Sequence, residues 1–157
     1  MFIYLILDVD KCIAKPSEEL PEDARYFIGE AGEFDWDSSR SNCIAKGAGW
    51  DLAVVDDIKE HQKLVAMTNC AENAFWLGMK ETNNNLVDLN GNRVLFTPWD
   101  THSNPSNPEP NDHTGDEECV RMRGNVINDA KCELKTTGSS RNGVGMGYIC
   151  EYDATKG

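Results

Sequence analysis

The rhythm of hydrophobic and polar positions changes partway along the chain. "RYFIGE" (25–30) alternates with a period of two and predicts a strand. "DWDSSRSNCIAKGAGW" (35–50) opens on helix-capping side chains, carries Cys43 on a helix and closes on Gly47 and Gly49. A short buried segment, "LAVV" (52–55), leads into "DDIKEHQKLVAM" (56–67). There Asp57 and Glu60 stand at capping-box spacing, and Ile58, Leu64, Val65 and Met67 mark the buried side of a second helix. After Cys70 the helical rhythm stops. "AFWLGM" (74–79) reads as a buried strand, and "LVDLNGNRVLF" (86–96) sets Asn90-Gly91 between apolar flanks, a hairpin signal. "CVRM" (119–122), "NVIND" (125–129) and "MGYICEY" (146–152) are further short strands, and 136–145 is a connector rich in Gly, Ser and Thr.

Two helices followed by short antiparallel strands, with a long irregular loop region, predict an α+β domain. No repeat or linker divides the chain. Residues 1–157 are therefore read as one domain with its core over 25–152 and an N-terminal extension over 1–24. The apolar opening "MFIYLIL" predicts an edge strand, since it is too short for a signal region and meets Asp8 and Asp10 at once. No run is long enough to cross a bilayer.

Charge narrows the choice of partners. The formal net charge is −12, from 27 acidic and 15 basic residues, which disfavours nucleic acid and anionic membranes and favours cations. Six cysteines, at 12, 43, 70, 119, 132 and 150, show no zinc spacing and read as a disulfide framework in a secreted or extracellular protein.

Two acidic strand ends, "FIYLILDVDK" and "LAVVDD", resemble motifs of haloacid-dehalogenase-type phosphatases. Fewer than fifty residues separate Asp10 from Asp56, too few for the strand–helix units such a fold needs, and the later chain supplies hairpins. No nucleophile elbow, zinc-protease or phosphate-loop pattern appears. The chain is read as a non-enzyme.

The chemistry concentrates in "NPSNPEPNDHTGDEEC" (104–119), which has three prolines and no aliphatic residue. Glu109, Asn111, Asp112, Glu117 and Glu118 crowd into ten residues, and such a density of like charge calls for a cation. Hard oxygen ligands of mixed carboxylate and amide type suit calcium. Beyond Cys119, "NVINDAKC" adds Asn128 and Asp129, and the spacing of Cys119 and Cys132 suits a disulfide clasping a hairpin beside the loop. A cis Glu109–Pro110 bond, open to proline at small cost, would turn the neighbouring side chains to one side.

These residues resemble the C-type lectin-like domain family. "FWLGM" (75–79) is similar to its W-I-G-L strand, "EPN" (109–111) to its mannose-type triplet, "GDEEC" (115–119) to its G-x-E-x-C segment, and "IND" (127–129) to its W-N-D. The resemblance runs from about Arg25 to Tyr152. It implies disulfides Cys43–Cys150 and Cys119–Cys132. It also implies calcium held by Glu109, Asn111, Glu117, Asn128 and Asp129, with the same residues binding the sugar's hydroxyls. An auxiliary calcium would draw on Glu81, Asn85, Asp112, Glu117 and Glu118, with Asn85 standing where the family uses a carboxylate.

The implied function is a secreted humoral lectin that binds glycans with equatorial 3- and 4-hydroxyls, as in mannose, N-acetylglucosamine and glucose. Two alternatives stand beside it: calcium-independent sugar binding, or a module for a protein or mineral partner. Ile127, in place of the family's tryptophan, is expected to loosen the strand beneath the site. Cys12 and Cys70 leave two arrangements open, a bond with each other or a bond to another chain in a homo-oligomer such as a dimer.

Overall fold

The computed structural model describes residues 25–68, 74–112, 115–135 and 145–156. The expected edge strand, Cys12, Cys70 and nearly all of the 136–145 connector lie outside the described residues. Strand β1 (Tyr26–Gly32) precedes helix α1 (Trp36–Ile44), the short strand β2 (Trp50–Leu52) and helix α2 (Ile58–Thr68). Strands β3 (Ala74–Thr82), β4 (Asn85–Asp88), β5 (Cys119–Arg123), β6 (Val126–Ala130) and β7 (Met146–Tyr152) follow, giving the expected α+β architecture.

The strands form one sheet in the order β1-β7-β3-β5-β6, with β2 added to β7 and β4 to β3. The ladders are antiparallel except for β3 and β7, which run parallel through Phe75–Gly147 and Trp76–Tyr148. This places the last strand beside the first, and the Tyr152 amide donates to the Arg25 carbonyl at 2.7 Å.

"FWLGM" reads as a continuous apolar run because β3 is buried on both faces. Phe75, Leu77 and Met79 join one core with Leu64, Val120, Met122, Ile127 and Ile149. Ala74 and Trp76 join a second with Trp36, Leu52 and the two disulfides. The buried indoles are satisfied: Trp36 Nε1 donates to the Leu77 carbonyl at 2.8 Å and Trp76 Nε1 to the Phe34 carbonyl at 3.0 Å. Gly78 lies flat against β2, where a Cβ would come within 2.4 Å of the Leu52 carbonyl oxygen, so no larger residue fits without moving the backbone.

Both helix starts follow the predicted chemistry. Asp35 caps α1 by accepting the Ser38 amide at 2.8 Å. Asp57 accepts the Glu60 amide at 2.8 Å, while Glu60 reaches back to the Asp56 amide at 3.3 Å, one residue before the cap. Helix α1 ends at Ile44, ahead of Gly47 and Gly49.

The buried face of α2 differs from expectation. His61, Leu64 and Thr68 are buried, Val65 and Met67 pack at its margin, and Ile58 is 57% exposed. Ile58 sits in the first turn, before the helix lies over the core. His61 lies edge-on to Phe96, with ring centroids 5.4 Å apart.

The hairpins also shift. The tight turn falls at Asn83 and Asn84, whose φ angles of 51° and 62° place both in the left-handed region, and it joins β3 to β4. Asn90-Gly91 does form a turn, with the Asp88 amide donating to the Asn92 carbonyl at 2.8 Å. Its second arm leaves the ladder after a single bridge at Arg93 and becomes the start of the long loop.

Among the described residues, two disulfides close the frame, Cys43–Cys150 between α1 and β7 and Cys119–Cys132 from β5 to just past β6. Ile127 does not leave its strand loose. It is fully buried, its amide donates to the Pro98 carbonyl at 2.9 Å, and its carbonyl accepts the Asp100 amide at 3.0 Å. The half-buried Trp99 packs against the same core as Ile127.

Candidate functional site

The loop after Arg93 is fastened to the sheet by backbone bonds that the sequence pattern did not show. Pro98 and Asp100 pair with Ile127 on β6, and the Asp100 carbonyl accepts the Glu109 amide at 3.0 Å. The buried Asp100 carboxylate is held below the usual carboxylate range first by the Ser103 side chain and the Ser103 amide, which donates at 2.9 Å, and then by the His102 amide at 3.1 Å. Asp100 was not among the expected residues. Its only signal was the "DTHS" sequence, a side chain placed to accept amides two and three residues on.

From this anchor the loop turns back onto β6. Asp129, 4% exposed, accepts the Asn111 amide on Oδ1 at 3.2 Å and the Asp112 amide on Oδ2 at 2.7 Å. The Glu109–Pro110 peptide is cis. Asn111 Nδ2 donates to Glu109 Oε1 at 2.9 Å and to the Asn107 carbonyl at 3.3 Å. Asp112 Oδ1 accepts the Glu117 amide at 2.9 Å.

Burial pushes the Glu109 carboxyl up to about 8; the neighbouring Asp129 and Glu117 add to the shift, and Asn128 opposes it. The structure thus brings Glu109, Asn111, Asn128 and Asp129 together and sets Glu117 near enough to act on Glu109, but the carboxylates of Glu109, Glu117 and Asp129 are not all drawn within 4.8 Å of one another. Glu109 Oε2 is a buried oxygen without a hydrogen-bond partner. Such an atom is costly unless it carries a proton or meets a cation.

The auxiliary set is gathered less completely. The Glu81 amide donates to the Glu118 carbonyl at 2.9 Å, and the Glu81 carboxylate accepts the Asn84 amide. Burial raises the Glu81 carboxyl, and the charges of Asp129, Asp112 and Glu118 raise it further. Asn85 spends its amide nitrogen on the Asn83 carbonyl at 3.2 Å, inside its own turn.

Arg121 is a second residue that the pattern missed. It stands opposite Asn128 on β5, mostly buried, with Nε unpartnered. Burial lowers its pKa and the repulsion of Arg123 lowers it further, while Glu117, Glu109 and Asp129 act in the opposite sense.

Among the described residues, the acidic side chains whose ligand atoms do all fall within 4.8 Å of one another are Asp56, Asp57 and Glu60, at the start of α2. Here Glu60 accepts the Tyr26 hydroxyl and pairs with Arg25 at 3.6 Å. Burial lifts Glu60 to about 7; the Tyr26 hydrogen bond opposes this and the Glu151 charge adds to it. A carboxyl whose folded pKa is raised from 4.5 stabilises the fold fully below that value and loses the contribution as pH rises through about 7. Thermal melts are therefore expected to show wild type losing stability relative to Glu60→Gln between those values. Parallel pH profiles for the two proteins would contradict this.

The fold and this loop define a C-type lectin domain. The family model for the Lectin C-type domain matches residues 33–137, and the chain belongs to that family. Among curated proteins, it is 29% identical over 142 residues to mouse C-type lectin domain family 4 member G, covering 89% of this chain. The chain spans 43% of that relative's length.

Solved structures with the same fold include the cow CD23 carbohydrate-recognition domain, at TM-score 0.61 and 21% identity, covering 82% of this chain and 87% of that one. The mouse scavenger receptor C-type lectin domain gives 0.62 and 18%, covering 82% and 90%. CEL-I from Cucumaria echinata gives 0.60 and 16%, covering 82% and 89%. The family is that of carbohydrate-recognition domains, generally glycan-binding and non-enzymatic, and its members typically bind calcium. No helix among the described residues is long and apolar enough to cross a membrane.

Proposed function

We propose that this protein is a secreted lectin that recognises vicinal equatorial hydroxyls of mannose-type sugars through a calcium ion. The ion would be held by Glu109, Asn111, Glu117, Asn128 and Asp129. The observation that carries this reading is Glu109, a half-buried carboxyl raised to about 8 among Asp129 and Glu117, whose buried Oε2 has no hydrogen-bond partner. The surrounding donors are hard carboxylate and amide oxygens and fit calcium. The ion supplies open coordination positions for two hydroxyl oxygens. The carboxylates of Glu109 and Glu117 would accept hydrogen bonds from the hydroxyls, and the amides of Asn111 and Asn128 would donate to the hydroxyl lone pairs.

The cow CD23 domain, solved in the presence of a GlcNAc2Man3 oligosaccharide, supports a mannose-type ligand. The disulfide frame supports secretion. A single shallow site binds weakly, so several copies per assembly are needed for avidity. The chain would act as one recognition domain over 25–152.

Sugar binding of weak calcium dependence is the second reading. It is favoured by the network in which Asp129, Asn111, Glu109, Asp112 and Glu117 hold one another. A glycan array with and without EDTA separates the two. Mannose-type binding abolished by EDTA supports calcium, binding retained supports the second reading, and no sugar binding in either condition overturns both.

Calcium affinity is expected to rise as pH goes from about 5 to about 8, because Glu109 must release its proton to take the ion. The proton's own stabilisation of the fold is full below the ordinary value of 4.5 and is lost through about 8. Stabilisation by calcium should therefore grow over that window. A calorimetric titration with flat calcium affinity would count against Glu109 as a ligand.

A further inference from the structure

Beside the candidate sugar site lies a groove of about 440 Å³, a size that suits small ligands. One rim is the β3–β4 turn at Asn84 and Asn85, and the other is the segment carrying Arg93 and Leu95. The rims are tied beneath by the Val94 amide donating to the Leu86 carbonyl at 2.8 Å. Trp99 and Pro110 also line it. Pro110 stands between Glu109 and Asn111, so the groove and the sugar site share a wall.

The lining has one cation, Arg93, and no carboxylate, in a chain of net charge −12. Arg93 is exposed and makes no ion pair among the described residues. Leu95, 82% exposed, offers an apolar surface of the kind that meets the C–H face of a sugar ring. This lining offers a ligand one cation, amide groups and an apolar surface.

We propose that the groove is a subsite for the second residue of an oligosaccharide, and that it prefers an acidic sugar whose carboxylate pairs with Arg93. This rests on the reading that the terminal sugar is held at Glu109 and Asn111. Arg93 sets specificity by forming charge-assisted hydrogen bonds to the carboxylate, and its planar fork suits that geometry. Leu95 contributes to any second ring, charged or neutral.

The test uses the full chain and three probes: mannose, a neutral mannose disaccharide, and the same disaccharide with its second ring oxidised to the uronate. Wild type is expected to bind the uronate about five- to tenfold more tightly than the neutral disaccharide at low salt, with the advantage shrinking as salt is added. Arg93→Gln should erase that advantage and leave mannose affinity unchanged. Leu95→Ala should weaken both disaccharides alike and leave mannose unchanged. If wild type binds mannose but the uronate gains nothing, or Arg93→Gln keeps the gain, the subsite is overturned and the sugar site stands. If wild type binds none of the three probes, the underlying sugar reading fails and this one fails with it.

Discussion

Asp129→Ala is expected to abolish mannose-type binding and to destabilise the domain together. The Asp129 carboxylate receives the Asn111 and Asp112 amides while only 4% exposed, so its loss leaves two loop donors without acceptors. Each such donor costs about 1–3 kcal/mol when it stays buried. Asp129→Asn separates the two roles. It keeps one of the two acceptor oxygens, sets an NH2 group against the other loop amide and discards the charge, so the stability loss should shrink only in part while calcium affinity still falls steeply. Disturbing a residue that only supports a ligand already costs roughly 10–100-fold, and removing a ligand's charge should exceed that. Urea denaturation and calcium titration on both variants decide the matter. Mannose affinity at the wild-type level in Asp129→Ala would remove this residue from the site.

The largest stability effect should come from replacing Cys43 and Cys150 together with alanine. Their bond closes a segment of 107 residues, for which loop entropy gives about 5 kcal/mol; Cys119–Cys132, with a separation of 13, gives about 3 kcal/mol. The long bond joins α1 to β7, the strand that carries β1, β2 and β3. Its removal therefore loosens the centre of the sheet. The short bond binds only the β5–β6 hairpin beside the loop. Denaturant midpoints should rank the two double variants in that order, and sugar affinity should respond more to loss of the short bond. A reversed ranking would show that the unfolded chain is not the main seat of the effect.

How much of this was legible in the sequence depended on whether the chemistry was local. The ligand candidates from Glu109 to Glu118 lie within ten residues, and their charge density together with Asn128, Asp129 and the cysteine spacing pointed to a cation. Helix starts were legible because a cap needs only residues three apart, as at Asp35 and Ser38. Ile58 misled because periodicity gives the phase of a helix and not the point at which it meets the core. Asn83-Asn84 was passed over in favour of Asn90-Gly91, although asparagine also tolerates positive φ.

What no local pattern could show were the bonds across the chain. The pairing of Pro98 and Asp100 with Ile127 joins residues about thirty apart through backbone atoms that carry no side-chain signature. That pairing corrects the expectation that isoleucine loosens its strand. Arg121 and the Arg93 groove were equally hidden, since each gains meaning only from neighbours brought in by the sheet order.

The bond from Tyr152 to Arg25 gives the domain a practical geometry. The two flanks of the fold leave from the adjacent strands β1 and β7, while Asp129 sits on β6 at the opposite edge, with β3 and β5 between them. A tether joined to either flank would therefore hold the domain by the side opposite its loop. Attached through either flank to a surface or to other copies, it presents its loop outward, and many such domains on one support would face the same way.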